Sequence, residues 1–178
     1  RRKQHRCQRR SQRPVRLGHV EADEVRNQLT VRTADQRGGD VVAHGKDEDE
    51  TARLAVDYIK AKKPAFLFVH FDLVDHAGHA YGHGTPRYYE SVAKADKLIE
   101  SVRQATVDAG IADDAVIFVT SDHGGVGKGH GGESLAELEI PWIAYGKGIN
   151  PGLQLDLPIN TFDTPATAAW LLGAEIPY

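Results

Sequence analysis

The chain has a single cysteine, Cys7, so no intramolecular disulfide is possible and its redox compartment cannot be read from cysteine usage. No apolar run approaches the ~18 residues needed to cross a bilayer as a helix, which leaves no candidate membrane span. The basic start is not followed by an apolar stretch and therefore does not resemble a secretory signal. Internal repeats are absent. Aromatic residues are not interleaved with the basic ones near the N-terminus, so that region lacks the pattern of a nucleic-acid-binding module, and no nucleic-acid partner is expected.

What is present is unevenly distributed. Residues 1–20 contain eight Lys or Arg and no acid, and ten of the thirteen arginines precede residue 38. Residues 1–46 show no helical or strand periodicity of useful length. Such a segment buries too little apolar surface to offset its ordering entropy. It is expected to be disordered or to be a non-native leader, with the globular part running from Asp47 to Tyr178. At 178 residues the chain is long enough for one domain with a substantial core.

From Asp47 the pattern alternates. Glu48–Lys62 reads as an amphipathic helix, with Ala52, Ala55, Val56 and Ile59 on one face and Pro64 as its stop. Ala65–His70 is short, aromatic and β-branched, as a strand buried on both faces would be. Thr85-Pro86 supplies an N-cap and a first-turn proline for a helix running to about Ala109, with Gly110 as its cap. Ala115–Thr120 reads as a second buried strand, Trp142–Tyr145 as a candidate third, and Asp163–Leu172 as a final helix stopped by Gly173. Strands alternating with helices predict an α/β fold with a mostly parallel sheet covered by helices on both faces. In that architecture ligands bind at the carboxyl ends of the strands.

Two segments follow such ends. The first is Asp72-Leu-Val-Asp75-His76-Ala-Gly78-His79; the second is Thr120-Ser-Asp122-His123-Gly-Gly125 with Gly129-His130-Gly131 close behind. Seven of the nine histidines lie between residues 44 and 130. Asp75 and His79 are four residues apart, a spacing by which a loop or a first helical turn aims both at one ion. A mixture of carboxylate oxygen and imidazole nitrogen suits Zn²⁺, with Mn²⁺ also accommodated, whereas calcium and magnesium prefer oxygen alone. Asp75, His79, Asp122, His123 and His130 are therefore the candidate ligands. Asp72 is a candidate to orient a ligand histidine or to cap a turn. His70, His76 and His83 are read as supporting donors or solvent-facing groups. Lys128 either meets an anionic substrate or is an exposed loop lysine. Gly127–Gly132 is too short and wrongly placed for a nucleotide-binding loop.

Asp75-His-Ala-Gly-His79 with Gly82, then Thr-Ser-Asp122-His123-Gly, then Gly-His130-Gly resembles the alkaline phosphatase superfamily, nearest to its type I phosphodiesterase and nucleotide pyrophosphatase branch. The resemblance covers roughly Asp47 to Tyr178. It implies two divalent metals, one held by Asp75, His79 and His130 and the other by Asp122 and His123. It implies hydrolysis of phosphate mono- or diesters by phosphoryl transfer, a small phosphate ester as substrate, and a periplasmic or extracytoplasmic location.

The family pattern also calls for an Asp after an early strand and a Ser or Thr nucleophile opening a helix. Ser11, Thr30, Thr33, Asp23, Asp35 and Asp40 precede residue 47, and none follows a buried strand or opens a convincing helix. No nucleophile is assigned, the N-terminal strands are expected to be missing or incomplete, and the chain alone is expected to turn over poorly. A sulfatase is the close alternative, although Cys7-Gln-Arg-Arg-Ser11 does not supply the Cys-x-Pro-x-Arg setting of that branch. A non-catalytic metal-binding remnant is the other.

Overall fold

The structure, a computed structural model, describes residues 28–32 and 40–174. The described residues fall into two units, one ending at residue 158 and the other of residues 159–174. Of the residues weighed for the early Asp and the Ser or Thr nucleophile, Ser11, Asp23, Thr33 and Asp35 lie outside the described residues.

The larger unit begins with a hairpin, β1 (Gln28–Arg32) against β2 (Asp40–His44), paired antiparallel from Gln28↔His44 to Arg32↔Asp40. Both strands fall inside the segment for which the sequence suggested no regular structure. Helix α1 (Glu48–Lys62) starts where the composition changes: the Asp47 carboxylate accepts the Glu50 N–H at 2.8 Å, and Glu48, Asp49 and Glu50 place negative charge at the helix N-terminus. It ends at Lys63, which takes a left-handed conformation (φ 48°) just before Pro64.

Helices α2 (Leu73–Tyr81) and α3 (Pro86–Asp108) follow. The α3 N-terminus is the expected one, with the Thr85 hydroxyl accepting from the Tyr88 N–H and Pro86 in the first turn. Helices α1 and α3 pack through small side chains. Ala55 is fully buried against Ala43, Tyr58, Leu67, Val69 and Val102, and Ile59 sits with Ala105 and Ala109. Alanine on both faces lets the helices approach closely, and each methyl withdrawn from water contributes about 0.8 kcal/mol. Lys60 and Asp108 join the same two helices by an ion pair of 2.7 Å.

After a single 3₁₀ turn (Ala112–Asp114) come β3 (Val116–Thr120), one helical turn α4 (Leu135–Leu138), and β4 (Trp142–Gly146). The expected strands at 115–120 and 142–145 are thus present, but they pair antiparallel with each other, from Val116↔Gly146 to Thr120↔Trp142. Among the described residues every strand pair is antiparallel, and the expected parallel sheet is not shown. Residues 121–141 between β3 and β4 are taken up by a glycine-rich loop and the short α4 rather than by the crossover helix a parallel return requires.

Ala65–His70 differs from expectation too. It is not a strand: no ladder partner lies beside it among the described residues, and its Leu67 and Val69 are half-buried against the small side chains between α1 and α3 instead. One side of the apolar run therefore faces the core, but the run is neither sheet nor buried on both faces, since Phe68 is half exposed.

In the smaller unit, α5 (Asp163–Leu171) begins with the Asp163 carboxylate accepting the Asn160 N–H at 2.8 Å and ends before Gly173, whose φ is 65°. Among the described residues no helix is long and apolar enough to cross a membrane.

Candidate metal centre

The first chemical segment is helical, not a loop. On α2, Asp75 and His79 stand one turn apart on the same face, as residues four apart must. His79 Nε2 lies 3.4 Å from Asp75 Oδ1, and His130, arriving from the glycine loop after β3, places its Nε2 3.7 Å from the same oxygen. One ligand atom from each of Asp75, His79 and His130 falls within 4.8 Å of the others.

Both distances are too long for hydrogen bonds. Asp75 Oδ1 is shielded from solvent, yet it has no hydrogen-bond partner among the described residues. A shielded carboxylate oxygen without a donor is unfavourable by itself, and a cation between it and two imidazoles is the species that would satisfy it. Ligands bound at roughly 2.0–2.2 Å around a tetrahedral ion stand about 3.4 Å apart, close to the observed spacing. The donor set of one carboxylate oxygen and two imidazole nitrogens also fits zinc.

The ring tautomers agree with that use. His79 Nδ1 is 2.9 Å from the Lys128 carbonyl oxygen. A carbonyl only accepts, so Nδ1 carries the proton and Nε2 offers its lone pair. His123 is arranged in the same way, with Nδ1 2.8 Å from the Gly124 carbonyl.

His123 joins the group by stacking on His130, with centroids 3.7 Å apart and planes inclined by 18°, while His79 meets His130 edge-on at 5.0 Å. Asp122 is reached through His123: its Oδ2 is 3.6 Å from His123 Nε2, and its Oδ1 accepts the His123 N–H at 3.1 Å. The structure therefore brings Asp75, His79 and His130 together directly. His123 is added by ring contact, and Asp122 lies at the outer edge with most of its side chain exposed.

The other predicted residues have different surroundings. Buried Asp72 precedes α2, makes no side-chain cap bond to it, and is engaged by His70 Nε2. His76 is exposed. Lys128 donates from Nζ to the Ala80 carbonyl at 2.8 Å, so its ammonium completes the end of α2.

His83 lies in a seam between the two chemical segments. Its backbone N–H donates to the Gly127 carbonyl at 2.7 Å, its Nδ1 stands 3.1 Å from that same oxygen, and its ring fills the space left by two glycines. A Cβ on Gly125 would fall 2.1 Å from His83 Nε2, and one on Gly78 would fall 2.5 Å from it.

Two residues here were not singled out from the sequence. Tyr88, in the first turn of α3, has its phenol pushed above the ordinary range by burial, then by Tyr89 and by the Asp75 carboxylate; nothing in its spacing marks it. Glu137 on α4 was readable as the end of a Ser134-Leu-Ala-Glu137 capping box, in which the Ser134 hydroxyl donates to its carboxylate at 2.6 Å. That hydroxyl, followed by the Gly132 N–H, holds the Glu137 carboxyl below its usual range.

Comparison with known proteins places this geometry in context. The profile of a family described as type I phosphodiesterase / nucleotide pyrophosphatase matches residues 3–129, which includes the basic segment as well as four of the five candidate ligands. GPI ethanolamine phosphate transferase 3 of Schizosaccharomyces pombe is 30% identical over 142 residues, covering 76% of this chain and 15% of that protein. GPI ethanolamine phosphate transferase 1 of Candida glabrata is 38% identical over 131 residues, covering 62% of this chain and 14% of that protein. Human arylsulfatase D is 29% identical over 172 residues, covering 79% of this chain and 29% of that protein. The chain thus spans about 15% of the length of the two transferases.

Proposed function

Because the chain belongs to the type I phosphodiesterase / nucleotide pyrophosphatase family, we propose that it carries the metal-holding part of an alkaline-phosphatase-like centre that acts on phosphate esters. The observation that carries this proposal is the shielded, partnerless Asp75 Oδ1 between the Nε2 atoms of His79 and His130. Asp75, His79 and His130 would hold one divalent ion, and Asp122 with His123 a second. Zinc is the first choice for this donor set and manganese the next. The parallel, helix-covered sheet of the superfamily is part of the same proposal, as is an extracytoplasmic location, which rests on family resemblance.

Bound there, divalent ions supply Lewis-acid neutralisation of phosphoryl oxygens. The protein's own contribution is orientation. Lys128 and Gly124 carbonyls fix His79 and His123 in the tautomer that presents Nε2. The stacking of His123 on His130 brings the two ligand groups side by side. Two carboxylates against two dications leave the centre net positive, the sign that favours an anionic phosphoryl group. The relatives named as ethanolamine phosphate transferases support phosphate-ester chemistry at this centre. The likeness to human arylsulfatase D supports sulfate esters as the second reading.

Zinc titration of the purified chain against a chromogenic chelator tests the site. Wild type is expected to take up zinc, and Asp75→Asn to weaken the tighter site by at least tenfold; equal binding by both proteins refutes the assignment. Parallel assays with p-nitrophenyl phosphate, its bis-ester and p-nitrophenyl sulfate separate the phosphate from the sulfate reading.

A further inference from the structure

The loop that delivers His130 runs from Gly124 to Gly132 and contains six glycines in nine residues. Such a loop has wide conformational freedom and few side chains with which to fix itself. Its interior is held by reciprocal hydrogen bonds between Val126 and Gly129 of 2.9 and 3.1 Å, and its middle is tied to the α2 region through Gly127 and Lys128. Both of its ends, however, are gripped by the same residue. The main-chain carbonyl of Glu137 accepts the Gly124 N–H at 2.8 Å, and Gly124 is the residue after His123. The carboxylate of Glu137 accepts the Gly132 N–H at 2.9 Å, two residues beyond His130.

Resting on the metal-centre assignment above, we propose that Glu137 is a positioning residue that fixes His130 relative to His123 by clipping together the two ends of the glycine loop.

Three further observations fit a clip better than a ligand or a simple helix cap. Both carboxylate oxygens are engaged by protein donors, because the second oxygen accepts from Ser134 Oγ at 2.6 Å and from the Ser134 N–H at 3.3 Å. Glycine at 132 is what allows the approach, since a Cβ there would fall 2.5 Å from Glu137 Oε2. The next residue back strengthens the same grip, with the Ala136 carbonyl accepting the Gly125 N–H at 2.9 Å. A carboxylate that served only to cap the four-residue α4 would have no need to reach Gly132.

The test measures zinc affinity of the full chain, together with the visible spectrum of its Co²⁺ form, which reports the ligand geometry around the ion. Glu137→Ala and Glu137→Asp both withdraw the carboxylate from Gly132, the second while keeping its charge. Each is expected to weaken zinc binding by about 10- to 100-fold, the usual effect of losing a group that orients metal ligands, and to alter the cobalt bands. Ser134→Ala breaks the capping box but leaves both loop contacts, and is expected to stay within threefold of wild type with an unchanged spectrum.

Wild-type affinity and an unchanged cobalt spectrum in Glu137→Asp overturn the proposal. So does a loss in Ser134→Ala equal to that in Glu137→Ala, because helix capping would then explain both. If circular dichroism shows Glu137→Ala unfolded, Glu137→Asp decides alone. A wild-type chain that binds neither ion refutes the metal centre itself and the role of Glu137 with it, an outcome distinct from tight wild-type binding that the variants do not change.

Discussion

Adding one methyl group at Gly124 should separate the glycine loop from α4. A Cβ built there would lie 2.1 Å from the Ala136 carbonyl oxygen, 3.1 Å from its carbon and 3.3 Å from the Glu139 oxygen. All three are main-chain atoms, so no side-chain rotation relieves the overlap. Gly124 is not among the residues with positive φ, which means that Gly124→Ala carries a steric effect without backbone strain. To make room, the loop must move off α4 and give up the bonds from Gly124 N–H to Glu137 and from Gly125 N–H to Ala136, 2.8 and 2.9 Å long. Net losses of about 0.5–1.5 kcal/mol per hydrogen bond, together with overpacking of about 1–3 kcal/mol, give a destabilisation of roughly 2–6 kcal/mol. Urea unfolding followed by tryptophan fluorescence measures it, because Trp142 on β4 packs against Phe118 of β3 with ring centroids 5.2 Å apart. Gly84→Ala is the control: nothing lies within 4 Å of its Cβ, and its φ of 76° should cost only about 1–2 kcal/mol. A Gly124→Ala protein no less stable than Gly84→Ala, and with undiminished zinc affinity, would refute the packing argument.

Two further outcomes follow from the helices. Asp47→Ala removes the acceptor of the Glu50 N–H at the start of α1 and should cost about 1 kcal/mol in urea unfolding, whereas Asp57→Ala on the exposed face should cost less. The Asp108 carboxyl is held below its usual range by Lys60 and then by Gln104. A depressed carboxyl stabilises the fold above its unfolded pKa of about 3.9, and that contribution is lost as pH falls through the folded value. Asp108→Asn should therefore be less stable than wild type at pH 7, with a gap that shrinks as pH falls below about 3.9, and a gap that stays constant down to acid unfolding would count against the ion pair.

Helices α1 and α3 were legible almost residue by residue, because their caps are local: Asp47 and Thr85 each bond an N–H three residues on. Strand pairing was not local and was not legible. Leu67 and Val69 in the run from Phe66 to Val69 face the core while Phe68 is half exposed, and whether such a run joins a sheet depends on a neighbour that composition cannot reveal. Helix α2 was obscured by Gly78, a poor helix former that is retained because the His83 ring occupies the space where a Cβ would be. The candidate ligands were suggested by residue type and spacing, and the structure brings Asp75, His79 and His130 together. Their tautomers depend in part on an acceptor far along the chain, since His79 is oriented by the carbonyl of Lys128. Glu137 had a sequence signal in Ser134-Leu-Ala-Glu137, but its hold on Gly124 uses a main-chain atom that no motif records.

The acceptors that orient His79, His83 and His123 are the carbonyls of Lys128, Gly127 and Gly124. No mutation at these positions deletes an acceptor, because every amino acid carries the same carbonyl. Side-chain drift at Lys128 should therefore be tolerated by imidazole orientation, even where it costs the contact with Ala80. Sensitivity should concentrate instead at the glycines that set the path of the backbone. Across descendants of this sequence, the loop should vary in what it displays and stay fixed in how it bends.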